Sequence, residues 1–223
     1  MSDTTTPPKH YLLWIDVETT AVKPEDGQLL EVGVAITNME GTVLYGPKSI
    51  VIKRQRLELN DDTKHAILGM HTANDLINQV LVPYLPKTVE FQCKPLLDDL
   101  CAQLAGAKEA GCTIHVAGTN VQFDIDWLTK AELWSYFEPY VSHRRLDMSA
   151  IRLTLTAVGI DPYKANHKTT HRVYDCIDRD IHDWKNWIQW VQEHNENDIN
   201  SFCDCGCVCL QSLSDLFESE DDE

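Results

Sequence analysis

Tyr11-Leu12-Leu13-Trp14-Ile15-Asp16-Val17-Glu18 is the stretch on which the fold turns. Its first five residues form a continuous apolar run, the pattern of a strand buried on both faces, and Asp16 interrupts that run where the strand should emerge from the core. Residues two apart on a strand project to the same side, so Asp16 and Glu18 share a face. Two carboxylates held together beside an apolar strand repel, and a divalent ion with a preference for oxygen ligands, such as Mg²⁺ or Mn²⁺, removes that repulsion. A strand-end turn carrying two solvated acids is the alternative reading of the pair.

Working outward, Pro24-Glu25-Asp26-Gly27 signals a turn, Leu29 to Thr37 reads as a strand, Asn38-Met39-Glu40-Gly41 as a hairpin loop, and Thr42 to Tyr45 with Ser49 to Ile52 as further β structure. Three antiparallel strands therefore open the domain. The pattern then becomes helical from Asp61 to about Leu81, and again over Pro95 to Leu104, where Leu96, Leu97, Leu100 and Leu104 share a face. A strand is predicted at Thr113–Ala117, a helix at Phe123–Trp134, a short strand at Arg145–Asp147 and a helix at Met148–Val158, stopped by Gly159. The last helix starts near His171 and carries Val173, Ile177, Ile181, Trp184, Ile188 and Val191 on one stripe. A β meander followed by alternating strands and helices predicts an α/β three-layer fold with a mixed sheet.

The chain has 223 residues, 43% of them hydrophobic, enough for one ordinary core. Residues 1–10 are expected to be disordered, 11–194 to form the domain, and 195–223 to be a flexible Cys-rich and acidic tail. The net charge of −16 still leaves −10 when the six carboxylates between Asp215 and Glu223 are set aside. Such acidity argues against a non-specific grip on long nucleic acid, which requires Lys and Arg to neutralise phosphates. The N-terminus lacks a basic region and an apolar signal core, and no stretch approaches the roughly 18 unbroken apolar residues of a membrane span. A soluble, intracellular, cytoplasmic protein is expected, with mitochondrial or nuclear placement left open. The scattered Cys93, Cys101, Cys112 and Cys176 read as reduced thiols, while the alternating run Cys203 to Cys209 lacks the C-x-x-C spacing of a structural zinc site. Ser219, ahead of four acids, is a candidate phosphosite.

Two further elements extend the carboxylate pattern. Asp124 falls in the first turn of the helix that follows Thr113–Ala117, where an acid is also simply a favourable helix start. His171 lies near the start of the last helix, with Asp175 one turn below. Carboxylates on an opening strand, on a middle helix and on the final helix, with a histidine beside the last, make the DEDD exonuclease constellation. In particular the chain resembles oligoribonuclease. Leu13 to Thr20 is similar to that family's first motif, and Met70-His71-Thr72-Ala73-Asn74-Asp75-Leu76 to its early helix. His143 to Ser149 resembles the segment before its penultimate helix, and Thr170 to Asp175 the start of its last motif. The likeness spans roughly residues 11–192.

The resemblance implies an RNase H-like fold and two Mg²⁺ or Mn²⁺ ions about 4 Å apart on the scissile phosphate. Asp16, Glu18 and Asp124 would be ligands. His171 would be the general base, its ordinary pKa near 6.5 suiting the role. The partners implied are short single-stranded RNA and a second copy of the chain in a homodimer, with Arg144 capping a 5′ phosphate and Val22 wedging between bases. His71 and Asn120 are further candidate substrate contacts. Asn120 lies four residues before Asp124, as in proofreading or RNase T exonucleases, which leaves single-stranded DNA ends open as substrates. In the histidine subclass the last aspartate follows the histidine by five residues, and here that position is Cys176, a soft thiol unsuited to Mg²⁺. Asp175 completes the set if the helix start is adjusted by one residue. Tyr174 and Asp178 offer the spacing of the tyrosine subclass, with Asp178 about 100° to the other side of Ile177. A third alternative is an impaired site on a domain that binds nucleotides or partners without cutting.

Overall fold

A computed structural model describes residues 9–59, 64–162 and 169–194. Of the residues 1–10 expected to be disordered, 1–8 lie outside the described residues, as do the Cys203–Cys209 run, Ser219 and the acidic tail, whereas His10 opens the first strand. The chain divides into two compact units, Met1–Trp184 and Lys185–Glu223.

The first unit is built on a five-stranded sheet of β1 (His10–Thr19), β2 (Leu29–Asn38), β3 (Val43–Val51), β4 (Thr113–Gly118) and β5 (Val141–Asp147). Their order is β3-β2-β1-β4-β5. β1, β2 and β3 pair antiparallel, as expected for consecutive hairpins, whereas β1–β4 and β4–β5 are parallel. A parallel neighbour cannot be reached by a tight turn, so the chain crosses over through a helical segment before β4. That segment contains α1 (Lys64–Ala73), α2 (Leu76–Val80) and α3 (Val89–Glu109). Between β4 and β5 lies α4 (Val121–Lys130), and α5 (Met148–Ala157) and α6 (Val173–His194) follow β5. The mixed, open sheet with flanking helices is the architecture expected from the sequence.

Alternation along β1 separates the layers. Leu13, Ile15 and Val17 join Cys93, Leu96, Leu97, Leu100 and Leu104 of α3 and Val121, Ile125 and Leu128 of α4 in one buried cluster. Each such side chain taken fully from water stabilises the fold by roughly 1.5–3 kcal/mol. The intervening residues, Asp16 and Glu18 among them, face the other way, toward α6. There Gly33 pairs with Asp16 across the β1–β2 ladder. A Cβ on Gly33 would sit 2.7 Å from Val173 Cβ and 3.1 Å from Ile177 Cδ1, so the missing side chain is what lets α6 rest on the sheet.

Several boundaries differ from the periodicity. The helix expected from 61 to 81 is broken after Ala73, because Asp75 takes a left-handed conformation (φ 65°) before α2. α3 begins at Val89 rather than Pro95, its first turn capped by Thr88, whose hydroxyl accepts from the Phe91 N–H. α4 stops at Lys130, with Glu132 left-handed (φ 62°) just beyond. α6 starts at Val173, two residues after His171. In the second unit the described residues are helical as far as His194, and Trp187 and Trp190 stack with ring centroids 5.5 Å apart. No helix among the described residues is long and apolar enough to cross a membrane.

Candidate metal centre

β1 outruns its parallel neighbour. Its pairing with β4 ends at Trp14↔Ala117, while its pairing with β2 continues to Thr19. Beyond Trp14 the β4-side edge of β1 needs other partners, and the Val17 N–H donates to Asp124 Oδ1 at 3.0 Å. Gly118 permits the close crossing into α4, since a Cβ there would lie 2.7 Å from the Ile15 carbonyl oxygen. Asn120 follows in a left-handed conformation (φ 57°), its N–H donating to Asp147 Oδ1 and Ser149 Oγ, both at 3.0 Å. These contacts set the start of α4 and bring Asp124, 2% exposed, beside the end of β1.

Asp16, Glu18 and Cys176 converge there, with one donor atom from each lying within 4.8 Å of the others. Burial pushes Asp16 and Asp124 well above the usual carboxylate range, with further repulsion from Asp180 on Asp16 and from Asp16 on Asp124. Glu18 is pushed up to about 9, first by burial and then by Asp16 and Glu31. Asp16 Oδ2 and Asp124 Oδ2 are buried without a hydrogen-bond partner. Carboxylates in this state are stable as anions only with a cation among them. The nearby guanidiniums are engaged by other acids. Arg172 holds Glu31 through Nε–Oε2 at 2.8 Å and Nη2–Oε1 at 2.9 Å. Arg179 contacts Asp180 Oδ1 at 2.9 Å, and Arg152, 3% exposed, bridges Asp180 at 2.7 Å and Asp183. The carboxylates of Asp16 and Glu18, with Asp124 beside the same strand end, therefore fit a divalent cation.

The structure settles which side chains of α6 face this cluster. Cys176 is buried against Asp16, and its sulfur lies 3.7 Å from the Thr169 hydroxyl. Burial, followed by Asp16 and Glu18, raises its thiol pKa. Asp175, the acid favoured to complete the set after a one-residue adjustment, is instead exposed and accepts a hydrogen bond from Thr170. Val173 and Ile177 seat against Gly33, which fixes the rotation of the helix and leaves Asp175 outside; Asp178 is exposed as well.

His171 is exposed on the loop entering α6, in a left-handed conformation (φ 55°). Asn74 Nδ2 holds this loop by donating to the carbonyl oxygens of Thr170 (2.8 Å) and His171 (2.6 Å), and the Arg172–Glu31 pair holds it from the sheet. His71 is fully buried. Its Nε2 lies 3.3 Å from the Thr19 carbonyl oxygen and 3.8 Å from Glu18 Oε2, and burial lowers its pKa, which favours the neutral ring. Of the expected substrate contacts, Val22 (71% exposed), Asn120 and Arg144 lie on the surface.

Glu31, Asn74, Arg152, Arg172 and Asp180 had no role in the sequence reading. One signal for Glu31 was available: a carboxylate inside the apolar run Leu29 to Ile36. Asp180 and Arg152 meet across 28 positions and carry no local signature.

No family model matches the chain. Its sequence is similar to the oligoribonuclease of Actinobacillus pleuropneumoniae, 28% identical over 179 residues that cover 78% of this chain and 90% of that protein. The oligoribonuclease of Ralstonia nicotianae is 29% identical over 143 residues, covering 63% of this chain and 60% of that one. Among solved structures, a product-bound exonuclease I superposes with a TM-score of 0.54 at 12% identity over 83% of this chain, and exonuclease I from Methylocaldum szegediense with 0.53 at 15% identity over 84%. The chain spans less than half of those exonuclease I chains, 45% and 41% of their lengths. The fold is that of the RNase H-like exonucleases, and fold and sequence together resemble the DEDD type. Within that class this chain resembles oligoribonuclease.

Proposed function

We propose that this protein is a divalent-metal-dependent 3′-to-5′ exonuclease that releases nucleoside 5′-monophosphates from short single-stranded oligonucleotides, oligoribonucleotides first among them. The observation that carries the proposal is the convergence of Asp16 and Glu18 at the end of the central strand, with Asp124 bonded to the Val17 N–H between them, two carboxylate oxygens buried without a partner and the neighbouring arginines engaged by other acids. Asp16, Glu18 and Asp124 hold the cation or cations. When bound, the metal neutralises the scissile phosphate and favours deprotonation of the attacking water. His171, on a loop clamped by Asn74 and Arg172, accepts the proton from that water. In this reading Val22 and Arg144, both exposed, contact the substrate, and His71 holds the turn at Thr19 beside Glu18. A homodimer, in which Arg144 would reach the substrate's 5′ phosphate, accompanies this proposal.

The test is release of labelled mononucleotide from a 3′-labelled di- to pentanucleotide in the presence of Mn²⁺, Mg²⁺ or Zn²⁺. Asp16→Ala is expected to abolish release. Absence of turnover with every divalent ion sinks the proposal in favour of a second reading, an exonuclease-derived module that binds without cutting. That second reading has one observation in its favour: a thiol, Cys176, stands where the last carboxylate is expected.

A further inference from the structure

Cys176 has the surroundings of a ligand rather than of a core residue. Its neighbours on the apolar stripe, Val173 and Ile177, pack against Gly33, whereas the sulfur faces Asp16 and Glu18. Donors on a single tetrahedral ion lie about 3.5 Å apart, given metal–ligand bonds of 2.0–2.3 Å. A cluster with all its donor atoms within 4.8 Å is thus a small side-chain adjustment from enclosing an ion. Asp124 supplies an independent indication, because its Oδ1 accepts from the Val17 N–H, between Asp16 and Glu18, at 3.0 Å while its Oδ2 is buried without a hydrogen-bond partner. Hard carboxylate oxygens alone would suit Mg²⁺, but a sulfur donor changes the preference. Thiolate favours borderline and soft ions, and Mg²⁺ gains little from it.

We propose that Cys176 is a metal ligand, and that Asp16, Glu18 and Cys176 form a mixed carboxylate–thiolate site selecting a thiophilic divalent ion of the Zn²⁺ or Co²⁺ type over Mg²⁺. The inference rests on reading the carboxylate cluster as a metal centre and names the ion which that centre prefers. On binding, the Cys176 S–H proton passes to solvent and a sulfur–metal bond forms, without oxidation or reduction.

The experiment uses the full-length chain, reduced and freed of metal. Co²⁺ is added to the native protein and to Cys176→Ser, and the difference spectrum is recorded, since the eight cysteines make the native spectrum alone ambiguous. A thiolate-to-cobalt charge-transfer band is expected in the difference. Competition with a chromophoric chelator is expected to show Zn²⁺ bound at least about 10- to 100-fold more weakly by Cys176→Ser, since loss of a group that merely supports a ligand already costs that much. Cys176→Asp should shift the preference toward Mg²⁺ and Mn²⁺, and this variant carries the comparison if Cys176→Ser does not fold. Equal Co²⁺ spectra and equal Zn²⁺ affinities in native and folded variant protein overturn the inference. Hydrolysis of a short labelled RNA is followed separately with each ion. Mg²⁺-driven hydrolysis without a Cys176-dependent band sinks this inference and leaves the exonuclease proposal intact. The band without hydrolysis by any ion does the reverse.

Discussion

Glu18 shows how one side chain reports the state of the whole site. Its carboxyl sits near pH 9 in the folded protein against an ordinary value of 4.5. Because the folded value is the higher one, ionising Glu18 disfavours the fold. Its contribution to stability is complete below the ordinary value and is lost as pH rises toward about 9. Asp16 and Asp124 shift in the same direction, for the same reason of burial among like charges. In the presence of a chelator the melting temperature is therefore expected to fall as pH is raised from about 5 to about 9, and a saturating divalent ion should flatten that slope. A chelated protein that melts at the same temperature, or higher, across this window would show that the carboxylates are compensated without metal. The pairing of Asp16 with Glu18 was legible from the period of two along an apolar strand. The meeting of Glu31 with Glu18 was not, because it arises from cross-strand register, Glu18↔Glu31, rather than from neighbours in sequence.

Among the elements, α6 decides the composition of the site. Its apolar stripe was visible in the sequence, yet a stripe fixes the rotation of a helix only to within about a residue, 100°. The contacts of Val173 and Ile177 with Gly33 remove that freedom, turning Cys176 inward and leaving Asp175 exposed. Gly33→Ala should therefore both destabilise the domain and disturb the metal centre. The added methyl meets Val173 at 2.7 Å, and overpacking of this kind costs about 1–3 kcal/mol. A lowered urea midpoint, with weaker divalent-ion binding by the folded fraction, is the expected result. Unchanged stability and unchanged binding would mean that α6 is positioned by something other than this contact. The early helix carries the corresponding lesson for local signals. Periodicity from Asp61 to Leu81 did not reveal the left-handed Asp75, and it is at this break that Asn74 is placed to bond the carbonyls ahead of α6.

At the scale of the molecule, the net charge of −16 bears on which substrates this protein is able to hold. Without an excess of Lys and Arg there is little counterion release to drive binding of a long strand, so a few nucleotides held through metal and local contacts should account for most of the affinity. Turnover of di- to pentanucleotides is expected to exceed that of strands several tens of nucleotides long, with KM for the short substrates depending weakly on monovalent salt. Preference for long strands, or a steep loss of affinity with salt, would point to a basic surface elsewhere.

The amino-acid sequence by itself determined the order of strands and helices, the mixed three-layer architecture and the shared face of Asp16 and Glu18, because these follow from periodicity, and the resemblance to oligoribonuclease added Asp124 to that pair. Only the tertiary structure decided what completes the cluster. That choice depends on the approach of α6 to Gly33 and on the engagement of Arg152 and Arg172 by other acids, contacts spanning from 28 to 144 positions of sequence. Short-range patterns set where a helix lies, and long-range packing sets which of its side chains a buried charge meets.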